Sequence, residues 1–185
     1  MAYAGRMATN DGWTAELVRA IPDDGKRYEL VDGELLVTPA PQFAHQAIVL
    51  ELATRLKGFC ERQAAGKTMI SPADISWGPD SLVQPDVFVI APEEAGASAW
   101  TAVKTLRLVA EVLSPSTARQ DRFAKRKLYQ QHGVATLWLV DAERRIVEVW
   151  TPESAFPVVE RERVTWHPTP ASEPLLIDLA ELFGP

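Results

Sequence analysis

The sequence predicts one α/β unit, a mixed β-sheet with helices on both faces and an added N-terminal hairpin. Three observations carry this. One long stretch, Phe43 to about Ala65, holds apolar residues at helical spacing, while other apolar residues fall in short, strand-length runs. Asp32-Gly33, between two such runs, is a strong hairpin signal. The 185 residues are 46% hydrophobic and 24% charged, near the globular norm and sufficient for one sizeable core but not two. The expected layout is a loose arm over residues 1–12 and a single domain over 13–185.

In chain order, Thr14 is placed to cap a short helix carrying Leu17, Val18 and Ile21, punctuated by Pro22 and Gly25. Arg27 to Val31 and Glu34 to Thr38 form the hairpin, ended by Pro39 and Pro41. From Phe43 to about Ala65, Ile48, Leu52, Leu56 and Phe59 recur at helical spacing, and Gly66 stops the helix. Strands follow over Lys67 to Ser71 with Ala73 to Trp77, then Asp86 to Ile90, then Leu106 to Leu113. In the last, alternation of Leu106, Leu108 and Ala110 with Arg107, Val109 and Glu111 suggests a partly covered sheet. The turn Ser114 to Thr117 offers caps for a helix over Ala118 to His132, with Gly133 as its left-handed terminator. Thr136 to Asp141 and Arg145 to Trp150 read as strands around a tight turn. Val158 to Trp166 reads as one edge strand, and Pro174 to Phe183 as a short helix. Helices on both faces of the sheet are the economical packing.

The bulk numbers narrow the function. No apolar run reaches the length of a membrane span, the amino terminus lacks the build of a secretory signal, and lone Cys60 cannot form an internal disulfide. These point to the cytoplasm. A net charge of −6 argues against a protein that coats nucleic acid with a basic surface. It leaves room for an enzyme whose phosphate contacts need only a local positive patch.

Two acids stand out. Asp86 follows Pro85 at the start of an apolar strand. Glu111 is the only acid in the run Leu106 to Leu113, and a carboxylate inside such a strand is costly unless paired or metal-bound. On the following helix Asp121, Lys125 and Tyr129 are spaced by four, hence on one face. Two carboxylates at adjacent strand ends suit Mg²⁺, which takes oxygen ligands. Such an ion neutralises a reacting phosphate and generates hydroxide near neutral pH, and a nearby lysine stabilises developing charge. Each residue also has a plainer reading: Asp86 as a turn residue, Glu111 as a partner of Arg107, Lys125 as part of a solvated basic face. His45 could be surface-exposed at a helix start instead of lining a cleft, and Glu34 could be solvated at the hairpin edge. Ser114 and Thr117 read as caps, and the six tryptophans as packing.

Tyr28-Glu29-Leu30-Val31-Asp32-Gly33-Glu34-Leu35, His45, Pro85-Asp86-Val87, Glu111 to Thr117, Lys125, Tyr129, Gly133-Val134 and Leu137 to Asp141 together resemble the Uma-type restriction endonuclease family of the PD-(D/E)XK nuclease superfamily. The resemblance spans about Asp11 to Phe183. It implies a restriction-endonuclease-like fold and an Mg²⁺-dependent (or Mn²⁺-dependent) DNA endonuclease. It also implies Asp86 and Glu111 as metal-binding acids, the Val112 carbonyl as a third ligand, and Glu34, His45 and Tyr129 around the cleft. The superfamily pattern has lysine two residues after the second acid, where this chain has Leu113. Related families carry that lysine on the next helix, which makes Lys125 the catalytic candidate. Lys127 lies about 200° further round an ideal helix. By analogy with nucleases that cut both strands, a homodimer is expected. Two other functions compete: an inactive nucleic-acid-binding or assembly module that keeps the fold, and a two-carboxylate glycosidase, which gives Lys125 no role.

Overall fold

The computed structural model describes residues 12–115, 118–169 and 171–184. The expected arm, apart from Gly12, and the cap expected from Thr117 lie outside the described residues. Helix α1 (Ala15–Arg19) starts at Thr14, whose hydroxyl accepts the Leu17 N–H at 3.3 Å. Strands β1 (Arg27–Val31) and β2 (Glu34–Thr38) pair antiparallel across Asp32 and Gly33, which have φ of 50° and 80°. That backbone is what a tight hairpin turn demands.

The hairpin is part of a larger sheet. β1 also pairs with β5 (Ser81–Val83), which pairs with β4 (Ile75–Gly78), giving the order β2-β1-β5-β4. β5 has only three residues, too few to show periodicity in the sequence. α1 packs on this sheet through Ala15 and Val18, which meet Leu30 and Leu82.

The central sheet has six strands. They are β3 (Lys67–Ile70), β6 (Val87–Ile90), β7 (Leu106–Val112), β8 (Leu137–Asp141), β9 (Ile146–Trp150) and β10 (Val158–Glu160). Their order is β10-β9-β8-β7-β6-β3, with β7 and β8 parallel and every other pair antiparallel. The sheet is therefore mixed. One face is covered by α2 (Phe43–Gln63), α5 (Leu179–Phe183) and a two-stranded hairpin of β11 (Arg163–Trp166) and β12 (Leu175–Asp178). Leu52, Leu56, Phe59, Leu108, Trp138, Trp166 and Ile177 form that core. The other face packs against the small sheet and the helical segment after β7, through Val31, Phe88, Val109, Leu128, Tyr129 and Leu139. None of the six tryptophans is exposed, in line with packing roles.

Several local expectations are corrected. The segment 158–166 is two strands in two different sheets, broken at Arg161 and Glu162. Residues 175–178 are β12, and only Leu179–Phe183 is helical, with Asp178 capping through bonds from the Ala180 and Glu181 N–H groups. β7 is covered on both faces: Val109 and Glu111 are as buried as Leu108 and Ala110. Its simple alternation breaks at Arg107, because Val89 faces Leu108 while Ile90 faces Leu106, a one-residue bulge. α2 is terminated by Ala64 in the left-handed region, two residues before the glycine. Gly66 serves a close approach instead: a Cβ there would sit 2.2 Å from the Ile90 carbonyl oxygen. Gly133 has φ of 68°, as a terminator requires. Among the described residues no helix is long and apolar enough to cross a membrane.

Candidate active site

The site forms where β6 begins and β7 ends. Antiparallel pairing sets Val87 opposite Ala110, which brings Asp86 level with the last residues of β7. The Val112 N–H donates to Asp86 Oδ2 at 3.0 Å, so Asp86 is pinned one residue from Glu111. His45, in the first turn of α2, lies 3.0 Å from the same oxygen through Nε2. Arg27, the first residue of β1, donates from Nη1 to Oδ1 at 2.8 Å.

Glu111 points to the opposite face of the sheet from Ala110 and Val112, toward the helical segment. Its Oε1 accepts from Lys125 Nζ at 3.0 Å and from the Tyr129 hydroxyl at 2.6 Å. The segment is not one regular helix. α3 (Ala118–Gln120) leads into a π-helical turn, Asp121–Lys125, and then α4 (Arg126–Gln131). The wider turn keeps Asp121 and Lys125 both directed inward, an arrangement often found at functional sites. Arg122 fastens it to the sheet, bonding Glu148 at 3.0 Å and Asp141 at 2.6 Å. Lys125 also contacts Glu29 Oε1 at 3.0 Å and Asp121 Oδ1 at 3.2 Å.

A cleft of about 400 Å³ opens onto these groups, with Arg27, His45, Asp86, Glu111, Val112 and Lys125 in its walls. Tyr129 is fully buried behind Glu111. Glu34 does not join this cleft. It borders a second hollow of about 210 Å³, between β2 and the π-helical turn, which reaches Lys125 from the other side. Arg107, the sequence-level alternative partner of Glu111, instead pairs with Glu93 at 3.5 Å. Lys127 is exposed, and Leu113 is half-buried against the second core.

The electrostatics separate the two acids. Burial alone would raise Asp86, but the His45 bond and the charges on Arg27, His45 and Lys125 outweigh it and lower its pKa to about 2. Burial raises Glu111 to about 8, with Asp86, Asp121 and Glu29 adding to the push and Lys125 opposing it. Lys125 is itself lifted well above its ordinary value, because Glu111, Glu29 and Asp121 outweigh its burial. Burial lowers His45, but its bond and charge contact with Asp86 raise it overall. Lys125 therefore stays charged, and one cation cannot keep all its carboxylate neighbours ionised in so dry a place, so Glu111 takes a proton.

That imbalance is the test of whether a metal fits. Glu29, Asp86, Glu111 and Asp121 are buried acids, set against Arg27 and Lys125 as permanent cations. A divalent cation between Asp86 and Glu111 would supply the missing charge, and two carboxylates with a carbonyl meet the oxygen preference of Mg²⁺. Among the described residues no group of three or more His, Cys, Asp or Glu side chains is arranged to hold a metal.

Sequence reasoning passed over Arg27, Glu29 and Asp121 as site residues. Asp121 carried a signal, its spacing to Lys125. Glu29 and Arg27 sit on the polar side of an alternating strand, which reads as solvent-facing. Only the folding of the hairpin over the central sheet buries Glu29.

The comparisons agree with this architecture. A family model described as "Putative restriction endonuclease" matches residues 15–179. A crystal structure titled as that of a "putative nuclease belonging to DUF820" from Anabaena variabilis ATCC 29413 superposes with a TM-score of 0.76 at 23% identity, covering 92% of this chain and 97% of that one. The restriction-endonuclease-like mixed α/β fold is therefore shared. A search of curated protein sequences returns no match. With the family model spanning nearly the whole chain, the protein belongs to the Uma2 family.

Proposed function

We propose that the protein is a divalent-metal-dependent nuclease that hydrolyses phosphodiester bonds in DNA. The observation that carries this is the meeting of Asp86, held ionised, with Glu111 and the Lys125 ammonium at one sheet end beside an open cleft. Family membership points the same way. Asp86, Glu111 and the Val112 carbonyl would hold Mg²⁺ or Mn²⁺. Bound there, the ion would neutralise the phosphate and acidify a water molecule. Lys125, locked by Glu29, Glu111 and Asp121, keeps Glu111 in place and adds a fixed positive charge beside the site. Tyr129 holds the other approach to Glu111 Oε1. Water oxygen bonds to phosphorus, one P–O ester bond breaks, and the products are a phosphomonoester and an alcohol. A homodimer would supply two such sites, one for each strand of a duplex.

Wild type, Asp86→Ala and Lys125→Met are incubated with plasmid and single-stranded DNA in Mg²⁺, Mn²⁺ or EDTA. Cleavage by wild type that needs metal, is abolished by Asp86→Ala and falls roughly 10²–10³-fold in Lys125→Met is the expected outcome. Binding without cleavage would favour the non-catalytic module, a reading that gains from Leu113 in the usual lysine position and the net charge of −6.

A further inference from the structure

Arg27 carries more donors than Asp86 uses. A guanidinium offers N–H groups on three nitrogens in a fixed fork. Here Nη1 alone makes the protein contacts, to Asp86 Oδ1 at 2.8 Å and to the Gln84 carbonyl at 3.4 Å. Among the described residues, Nε and Nη2 meet no acceptor. Neither is among the buried polar atoms left without a partner. The side chain lines the cleft and is 20% exposed, so this second edge of the fork faces open space.

The form of the ion pair matters. Asp86 Oδ2 already accepts the Val112 N–H and lies 3.0 Å from His45 Nε2, which leaves Arg27 a single oxygen, Oδ1, to bond. That pairing anchors the guanidinium through Nη1 and leaves the parallel Nε and Nη2 donors without a protein acceptor among the described residues. That edge fits two oxygens of one tetrahedral oxyanion, which Arg grips in bidentate fashion and Lys does not.

We infer that Arg27 is a substrate-binding residue whose Nε/Nη2 edge grips a backbone phosphate of a nucleic-acid strand entering the cleft. The inference rests on the nucleic-acid reading of the site given above. The gripped group is a diester phosphate next to the one being hydrolysed, because Asp86 and Glu111 take the reactive position. Arg27 thus fixes the register of the strand against the acids while holding Asp86 by its other edge.

The test measures binding without turnover. A fluorescein-labelled single-stranded oligonucleotide is titrated with wild type, Arg27→Lys and Arg27→Ala in EDTA and in Ca²⁺, over a range of salt. Arg27→Lys keeps a cation beside Asp86, and its melting temperature and Mn²⁺ affinity are measured alongside, so that a change at the acids is told apart from a lost phosphate contact. Its oligonucleotide Kd rises about tenfold or more, the loss of a charge-assisted bidentate contact. Arg27→Ala shows the same loss, and its plot of log Kd against log salt flattens by about 0.7, the share of one phosphate on a single strand. Should Arg27→Ala not fold, Arg27→Lys carries the comparison. Wild-type Kd in a folded Arg27→Lys, or no salt-dependent binding by wild type, overturns the inference. A wild type that binds but never cuts would remove the nuclease reading and leave this one standing. A wild type that cuts, with Arg27→Lys binding as tightly, removes only this one.

Discussion

Lys125 lies within 3.2 Å of three buried carboxylates, Glu29, Glu111 and Asp121, and Glu111 answers the excess of acid by holding a proton. The pH dependence follows from that proton. Glu111 has a folded pKa of about 8, above its ordinary 4.5, so the folded state binds more protons than the unfolded state between these values. Its contribution to stability is fully present below about pH 4.5 and is lost as pH rises toward 8. Asp86 has the opposite sign: its folded pKa of about 2 lies below 3.8, so its contribution is present above about pH 4 and is lost as pH falls toward 2. Glu111→Gln removes the first dependence. The melting temperature of the metal-free variant, relative to wild type, should climb between pH 5 and pH 8, by roughly 2–4 °C for each kcal/mol relieved. A difference that stays flat across that range would show that Glu111 is ionised throughout.

At the level of elements, the site depends on the ends of β6 and β7 and on the π-helical turn that delivers Lys125. How much of this the sequence disclosed varies with how local the cause is. Asp32-Gly33 and Gly133 were legible because turn chemistry is local. Asp86, Glu111 and Lys125 were singled out because acids bordering apolar strands and a lysine spaced to Tyr129 are visible one segment at a time. Arg27 and Glu29 were not, since their burial arises only when one sheet folds over another. β12 was misread because Leu175, Leu176 and Ile177 suit either a strand or a helix, and the pairing that decides it comes from β11. Gly66 reads in sequence as the helix stop, but Ala64 ends α2 and Gly66 serves a close approach to β6 instead. Its φ of 131° and the 2.2 Å approach that a Cβ would make to the Ile90 carbonyl predict that Gly66→Ala is destabilised by about 2 kcal/mol or more. Thermal unfolding would read this as a fall of roughly 4–8 °C. An unchanged melting temperature would mean that β3 and β6 part easily at that point.

On the scale of the whole molecule, the restriction-endonuclease-like fold places two cores on either side of one mixed sheet and opens the cleft at its end, where Val112 of one core and Leu113 beside the other reach its walls. The net charge of −6 means that attraction for a polyanion has to come from the few cations in and around the cleft, Arg27, His45 and Lys125, and Lys125 is already engaged. A bound divalent ion would therefore do double service, balancing the buried acids and turning the local field toward phosphate. Because burial raises the Glu111 carboxyl to about 8 in the metal-free protein, metal loading at neutral pH should expel a proton. Calorimetric titration of Mn²⁺ into the protein at pH 7, repeated in buffers of different ionisation enthalpy, tests this directly. One saturable site should appear, releasing close to one proton, and should be lost in Asp86→Asn. No binding at millimolar Mn²⁺, or equal binding by Asp86→Asn, would contradict the assignment of the acids as a metal site.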